Sequence, residues 1–250
     1  MDYTVISAGE DPEQRIKHND LTSGLWPEFM FHDPISNLHW QDLYTVFPEY
    51  QISVMINGEI AGMGNCIPFQ WHKSLDHISD EGWDWAVLKG FQDASKKRRS
   101  NILCGLQIGI AGKFRGKGLS YTMVEAMKKL AADSGFEYLV IPVRPNLKSS
   151  YPLIPIESYI NWKDENGAPF DSWLRVHVKL GAEIIKICHK AMYIPGRIKD
   201  WEEWTNLSFQ ESGDYVVEGA LVPVKADIAE DVAEYTEPNV WVSYQLKRNK

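Results

Sequence analysis

The chain has little from which to build a disulfide or metal framework. Its 250 residues include three cysteines, Cys66, Cys104 and Cys188. They are far apart, odd in number, and form neither a Cys-x-x-Cys pair nor a Cys/His cluster, which argues against both a disulfide scaffold and a zinc site. Buried free thiols in a reducing compartment fit this usage. Positive charge is also short: 26 Lys and Arg stand against 34 Asp and Glu, for a net charge of −8. A nucleic-acid binder needs a basic face to neutralise phosphates, so no nucleic-acid partner is expected. No apolar run approaches the roughly 20 residues of a membrane-spanning helix. Met1-Asp2-Tyr3-Thr4 does not open a secretory signal, so a cytoplasmic protein without membrane contact is expected. Glycine-serine linkers and internal repeats are missing as well. Hydrophobic residues are plentiful, at 44%, with 10 Trp, 11 Tyr and 9 Phe, enough for a sizeable core.

Patterning along the chain alternates strands and helices. Tyr3–Ser7 reads as an opening strand and Trp40–Phe47 as a short helix ended by Pro48. Asn57-Gly58 between the apolar runs 51–56 and 60–69 predicts a hairpin. Trp83–Lys97 is helix-patterned and ends in the basic run Lys96-Lys97-Arg98-Arg99. Asn101–Ile110 follows as a strand, Leu119–Ser134 as a helix capped by Gly135, and Tyr138–Ile141 as a buried strand. The stretch 147–169 is long and broken by Pro152, Pro155 and Pro169; it reads either as a functional loop or as a packed insertion. Phe170–Leu180 is helix-like and stops at Gly181, and 183–187 and 191–194 read as two strands. The fold class is α+β, a mixed central sheet flanked by helices. Residues 1–200 form the expected domain and 201–250 an extension packed on it.

The most informative stretch is Ile108-Gly109-Ile110-Ala111-Gly112-Lys113-Phe114-Arg115-Gly116-Lys117-Gly118-Leu119-Ser120. A strand runs into a loop with three glycines and three cations, and a helix opens directly behind it. Glycine permits positive φ and close approach to a ligand. A helix start offers unpaired N–H groups and the positive end of its dipole. Together these make a diphosphate cradle. The spacing does not fit a Walker A loop, because Gly112 and Gly116 are separated by three residues rather than four. It also lacks the third glycine of a dinucleotide fingerprint, where Tyr121 stands. The order strand, Lys113-x-x-Gly116-x-Gly118, helix resembles the acetyl-CoA signature of the GNAT superfamily of N-acetyltransferases, Gln/Arg-x-x-Gly-x-Gly/Ala, with lysine in the first position.

This resemblance covers about 51–195 and implies a cofactor, a chemistry and a set of residues. Acetyl-CoA or another acyl-CoA would be the co-substrate, with no metal. Main-chain groups near Ile108 and Ile110 would pair with the pantetheine arm like an added strand. Lys113, Phe114, Arg115, Gly116, Lys117, Gly118, Leu119 and Ser120 would cradle the diphosphate, with Asn146 near the pantetheine or serving as a helix cap. The family's sulfur donor is usually a tyrosine four residues before a closing glycine. Here that glycine is Gly181 and His177 takes the tyrosine's place, either as an acid or base or as a packed histidine. Tyr151, or Tyr159, could supply the phenol instead. Gln107 stands where some relatives carry a glutamate base, a role that glutamine cannot fill. Glu157 and Asp171 are candidate carboxylates for orienting an amine.

The function implied is direct transfer of an acetyl or short acyl group to an amine, on a small molecule or a larger amine-bearing acceptor. A homodimer is compatible with this. The alternatives are an acyl-CoA sensor without turnover, suggested by the missing tyrosine and glutamate, and an interaction scaffold, suggested by the aromatic-rich termini.

Overall fold

The computed structural model describes residues 2–246. Along the chain run β1 (Thr4–Ser7), α1 (Gln14–Thr22), α2 (Pro34–His39), α3 (Leu43–Val46), β2 (Gln51–Ile56), β3 (Glu59–Phe69), α4 (Gly82–Ser95) and β4 (Ile102–Ile110). They are followed by α5 (Leu119–Asp133), β5 (Tyr138–Val143), α6 (Ile156–Tyr159), α7 (Ser172–Lys179), β6 (Glu183–Gly196), α8 (Ile198–Thr205), β7 (Gly213–Tyr215), β8 (Val224–Asp227) and β9 (Val232–Gln245). The expected hairpin closes through Asn57 and Gly58, both at positive φ, the geometry of a two-residue turn that follows strand twist.

One sheet has the order β1-β2-β3-β4-β5-β9-β8-β7, and β6 also pairs with β9. Among the described residues only β4 and β5 run parallel, joined by the α5 crossover; the rest are antiparallel. Residues of α5 and α7, such as Met123, Met127 and Leu174, pack on one face. Residues of α3, α4 and α8, such as Leu43, Val87 and Trp201, pack on the other.

Two expectations change here. The segments read as separate strands at 183–187 and 191–194 are one strand, β6. Five residues of β6, from Cys188 to Met192, oppose three of β9, from Asn239 to Glu237, and this bulge hides the continuity in the alternation pattern. Of the expected extension 201–250, the described residues up to 246 add strands to the sheet itself. Their last strand, β9, lies inside the sheet, pairs with β5, β6 and β8, and buries Val240, Trp241 and Val242.

The feature that shapes the site is a gap in the ladder. Strands β4 and β5 pair only at Ile102–Tyr138, Leu103–Leu139 and Cys104–Val140. From Gly105 and Ile141 onward they part, although β4 continues to Ile110 along β3 and β5 continues to Val143 along β9. A bulge sits at the parting point. Asn65 opposes Gln107 while its neighbour Cys66 opposes Gly105, leaving Leu106 as the extra residue. A bulge bends the strand that carries it and raises its twist, which turns β4 away from β5.

Candidate functional site

The cradle follows the end of β4. Gly116 and Gly118 have φ of +73° and +78°, and a Cβ built on either would meet nothing within 4 Å. Gly112 is equally open. The bend is therefore not filled by the protein's own side chains. Gly118 is the N-cap residue of α5 in the left-handed conformation. The N–H groups at the start of α5 have no partner within the helix, and the first bond back along the chain is that of Tyr121 N–H to Gly118 O at 3.0 Å. Lys113 and Lys117 flank the Phe114 ring at 5.2 and 5.5 Å, and Lys113 also meets the Glu59 carboxylate. Open glycines, unpaired amides and exposed cations together fit a diphosphate.

The β4 main chain fits the strand-like role expected of it. Ala111 N–H bonds to Ala61 O on β3 at 3.0 Å. Antiparallel ladders alternate bonded and non-bonded pairs, so Ile110 and Ile108 turn their N–H and C=O groups away from β3 and into the gap left by β5. Arg115 Nε–H, donating to Ile110 O at 3.3 Å, meets one of these groups from that side.

A cavity of about 580 Å³ passes through the gap. On the α5 side it is bounded by Met127, Trp173 and His177, and in the gap by Gly105–Ile108 and Ile141–Arg144. On the opposite side stand Asn19, Thr22 and Ser23 with Ser36 and Asn37, then Trp26, Trp40 and Trp83. At the bulge, Trp83 Nε1–H donates to Leu106 O at 3.0 Å, satisfying a carbonyl that β5 no longer reaches. Gln107 is 9% exposed and lines the cavity with its Nε2 unpartnered.

His177 lies in the wall, 2% exposed, with Nδ1 2.8 Å from the Tyr244 hydroxyl of β9. Burial pushes its pKa down to about 4, so the ring is neutral at physiological pH. Nε2 is left as the ring nitrogen that can serve the cavity. The tyrosine beside this position thus comes from β9, 67 residues along the chain, a distance at which no local motif could reveal it.

Other expected residues lie outside the cavity wall. Tyr151 stacks with Tyr159, Trp162 and Phe170 in an aromatic cluster that folds the 147–170 segment on itself. Tyr159 is held by the Asp171 carboxylate at 2.9 Å, and Asp171 also caps α7 through Trp173 N–H and Leu174 N–H. The Asp171 carboxylate is therefore committed to the fold, and Tyr151 packs its ring within the insertion while staying 37% exposed. Glu157 pairs with His189 on the surface. Asn146 is exposed and accepts a bond from Ser172 Oγ at 2.8 Å, tying the end of β5 to the start of α7. The basic run at 96–99 precedes β4 while the cradle follows it. A nine-residue strand spans about 30 Å, so the run and the cradle sit at opposite ends.

Sequence reasoning also missed a set of buried carboxyls beside the cavity. Glu237, fully buried in the wall, accepts from Arg144 Nε at 2.8 Å and Tyr235 OH at 2.9 Å. Near it, Asp33 caps α2 through Ser36 N–H at 2.6 Å, and Asp84 accepts from Tyr193 N–H at 3.0 Å. Burial raises the pKa of both aspartic acids, and their proximity raises Asp84 further. Arg144 also lies 5.8 Å from the Trp26 ring centroid.

The sequence is 31% identical over 252 residues to the arginine N-acetyltransferase avaD of Aspergillus versicolor, covering 90% of this chain and 86% of that relative. The chain belongs to the GNAT superfamily of N-acetyltransferases. This GNAT enzyme takes an acyl-CoA as co-substrate and transfers its acyl group to an amine. The fold agrees. The loading GNATL domain of CurA from Lyngbya majuscula aligns over 98% of both chains at 19% identity, with a TM-score of 0.64. The GphF GNAT-like decarboxylase, solved with isobutyryl-CoA, aligns over 84% of this chain and 85% of its own at 14% identity, with a TM-score of 0.50. No family model matches the sequence. Among the described residues no cluster of His, Cys, Asp and Glu could hold a metal ion, and no helix is long and apolar enough to cross a membrane.

Proposed function

We propose that this acetyltransferase modifies a nitrogen of a small cationic acceptor, with arginine the first compound to test. The observation that carries the reading is the cavity through the β4–β5 gap. It gives the thioester carrier and the acceptor one meeting place from opposite faces of the sheet. On the α5 side, the open amides at 116–120 hold the diphosphate, and Ile108 and Ile110 pair with the carrier's arm as a missing strand would. On the α1 side, Trp26, Trp40 and Trp83 offer rings to a cation, and Glu28 offers a carboxylate. Asparagine, serine and glutamine side chains complete a polar wall for an acceptor with several hydrogen-bonding groups.

When bound, the acyl thioester supplies an activated carbonyl. The chain's residues bring the nucleophile to it and manage protons. A nitrogen–carbon bond forms as the carbon–sulfur bond breaks, one proton leaves the nitrogen, and one reaches the sulfur. His177 Nε2 is the ring nitrogen placed to exchange that proton at the cavity wall, with Tyr244 setting the ring's orientation. Positioning supplies most of the acceleration. The relative's name supports arginine as the acceptor class.

The test is thiol release from acetyl-CoA with arginine, arginine methyl ester, Nα-acetylarginine, agmatine, lysine and an aromatic amine of similar size, whose nitrogen is uncharged at neutral pH. Fragmentation of the product identifies the modified nitrogen. Turnover confined to the cationic compounds is expected. No release with any of them, or equal rates with a neutral acceptor, would overturn the reading.

A further inference from the structure

Helix α1 forms part of the cavity wall through Asn19 and Thr22, with Ser23 at its C-cap, yet apolar packing does little to hold it. Its segment is polar, its N-cap makes no side-chain bond, and Ile16 is 64% exposed. The two residues it buries are Gln14 and His18, each 1% exposed.

Those two side chains belong to a hydrogen-bond chain in which every donor between Asn65 and Asp11 points toward Asp11. The ionised Asp11 carboxylate can only accept, and it takes Gln14 Nε2–H at 2.5 Å. Gln14 Oε1 is then the acceptor and receives Ser53 Oγ–H at 2.6 Å. Ser53 Oγ receives His18 Nε2–H at 2.7 Å, which leaves His18 Nδ1 with a lone pair for the Tyr44 hydroxyl at 2.9 Å. The Tyr44 oxygen accepts from Asn65 Nδ2 at 2.9 Å, and Asn65 donates again to Gln51 Oε1 at 3.0 Å. Gln51 Nε2 ends the chain on the carbonyls of Phe47 and Cys66. The order closes only with a neutral His18 in its Nε2–H tautomer. The inner end reaches the site: Asn65 stands across the β3–β4 ladder from Gln107 of the cavity wall.

We propose that His18 is a positioning residue for the acceptor. It fixes α1 against β2 and, through Tyr44 and Asn65, against β3, so that Asn19, Thr22 and Ser23 present one polar surface. This rests on reading the α1 side of the cavity as the acceptor end. The chain contains amide links at Gln14, Asn65 and Gln51, and amides do not pass protons on as water or imidazole does. Its role is orientation, not proton conduction.

The experiment compares His18→Leu, His18→Gln and Tyr44→Phe with the unmodified protein. Losing a buried hydrogen bond at the wall is worth about a factor of ten in binding. The KM for arginine is expected to rise about tenfold or more in His18→Leu, with kcat and the acetyl-CoA Kd within roughly a factor of two to three. His18→Gln, whose amide can accept from Tyr44 and donate to Ser53, recovers most of that loss. Hydrogen exchange of the α1 amides accelerates in His18→Leu while that of α5 does not. If His18→Leu fails to fold, Tyr44→Phe, which removes one hydroxyl, bears the same expectations. An unchanged arginine KM in the folded variant, or a Kd for acetyl-CoA that rises in parallel, overturns the proposal. If the unmodified protein does not turn over arginine, the reading of the acceptor fails. Exchange then decides His18 by itself: α1 amides that stay as protected in His18→Leu as in the unmodified protein overturn its docking role.

Discussion

Replacing Gly116 and Gly118 together by alanine tests the cradle with a magnitude set by its geometry. Both residues sit near φ +75°, where an L side chain costs roughly 1–2 kcal/mol each. Neither new methyl would clash, since nothing lies within 4 Å of either Cβ position. The whole penalty is therefore backbone strain, about 2–4 kcal/mol for the pair if the bend is kept. For a chain of this size each kcal/mol lowers Tm by about 2–4 °C, so a drop of roughly 4–16 °C is expected. If the bend relaxes instead, stability recovers but the amides of 116–120 turn away from a common centre. If it does not relax, the two methyls project into the space the diphosphate would fill. Either way acetyl-CoA affinity falls, and losing even one charge-assisted bond, worth about 1.5–3 kcal/mol, weakens Kd by a factor of ten or more. Calorimetric titration against acetyl-CoA reads the affinity, and a melt of the same sample reads the strain. A double variant that binds acetyl-CoA as tightly as the unmodified protein would refute the cradle, whatever its Tm.

Three other perturbations address the wall of the cavity. His18 and His177 both have pKa values pushed to about 4 by burial, below the usual 6.5. Between these limits the unfolded chain binds more protons than the folded one, so stability is fully present above pH 6.5 and is lost as pH falls toward 4. The loss is about 3 kcal/mol per histidine. Urea unfolding at pH 4.5 and 7 checks this, and His177→Phe should flatten the dependence while lowering turnover with little change in acyl-CoA affinity. Trp83→Phe keeps a ring but leaves Leu106 O without its donor; a cost of about 1–3 kcal/mol and a lower kcat are expected, measured by melting and steady-state rates. Arg144→Met strands the buried Glu237 carboxylate and should cost about 3–5 kcal/mol, whereas the double change with Glu237→Gln should regain most of it. Equal stability of the single and double variants would contradict that pairing.

What could be read from the sequence was what is local. The hairpin at Asn57-Gly58, the run from β4 through the glycine bend into α5, and the capping Gly135 each carry their signal within a few residues. Chemistry that depends on a single segment, such as amides gathered at a helix start, is legible in the same way. The remainder of the site is assembled across the fold. His177 meets Tyr244, Asp33 lies beside Asp84 and Glu237, and Trp83 reaches the Leu106 bulge. No periodicity links such partners, since register between distant strands is set by tertiary packing. The packing of Tyr151 on Tyr159, Trp162 and Phe170 was not legible, because an exposed aromatic in a proline-rich insertion looks the same in sequence whether it faces a ligand or its own neighbours.

The interior place of β9 bears on how the protein comes into being. Until residues 232–245 have left the ribosome, β5 and β6 each present an open edge, and Tyr244 is not there to orient His177. Synthesis proceeds at about 5–20 residues per second, so these adhesive strands wait for seconds beside a half-made cleft. A nascent chain with such exposed edges is a natural client for chaperones, and the wall that holds His177 is complete only with the strand that seals the sheet.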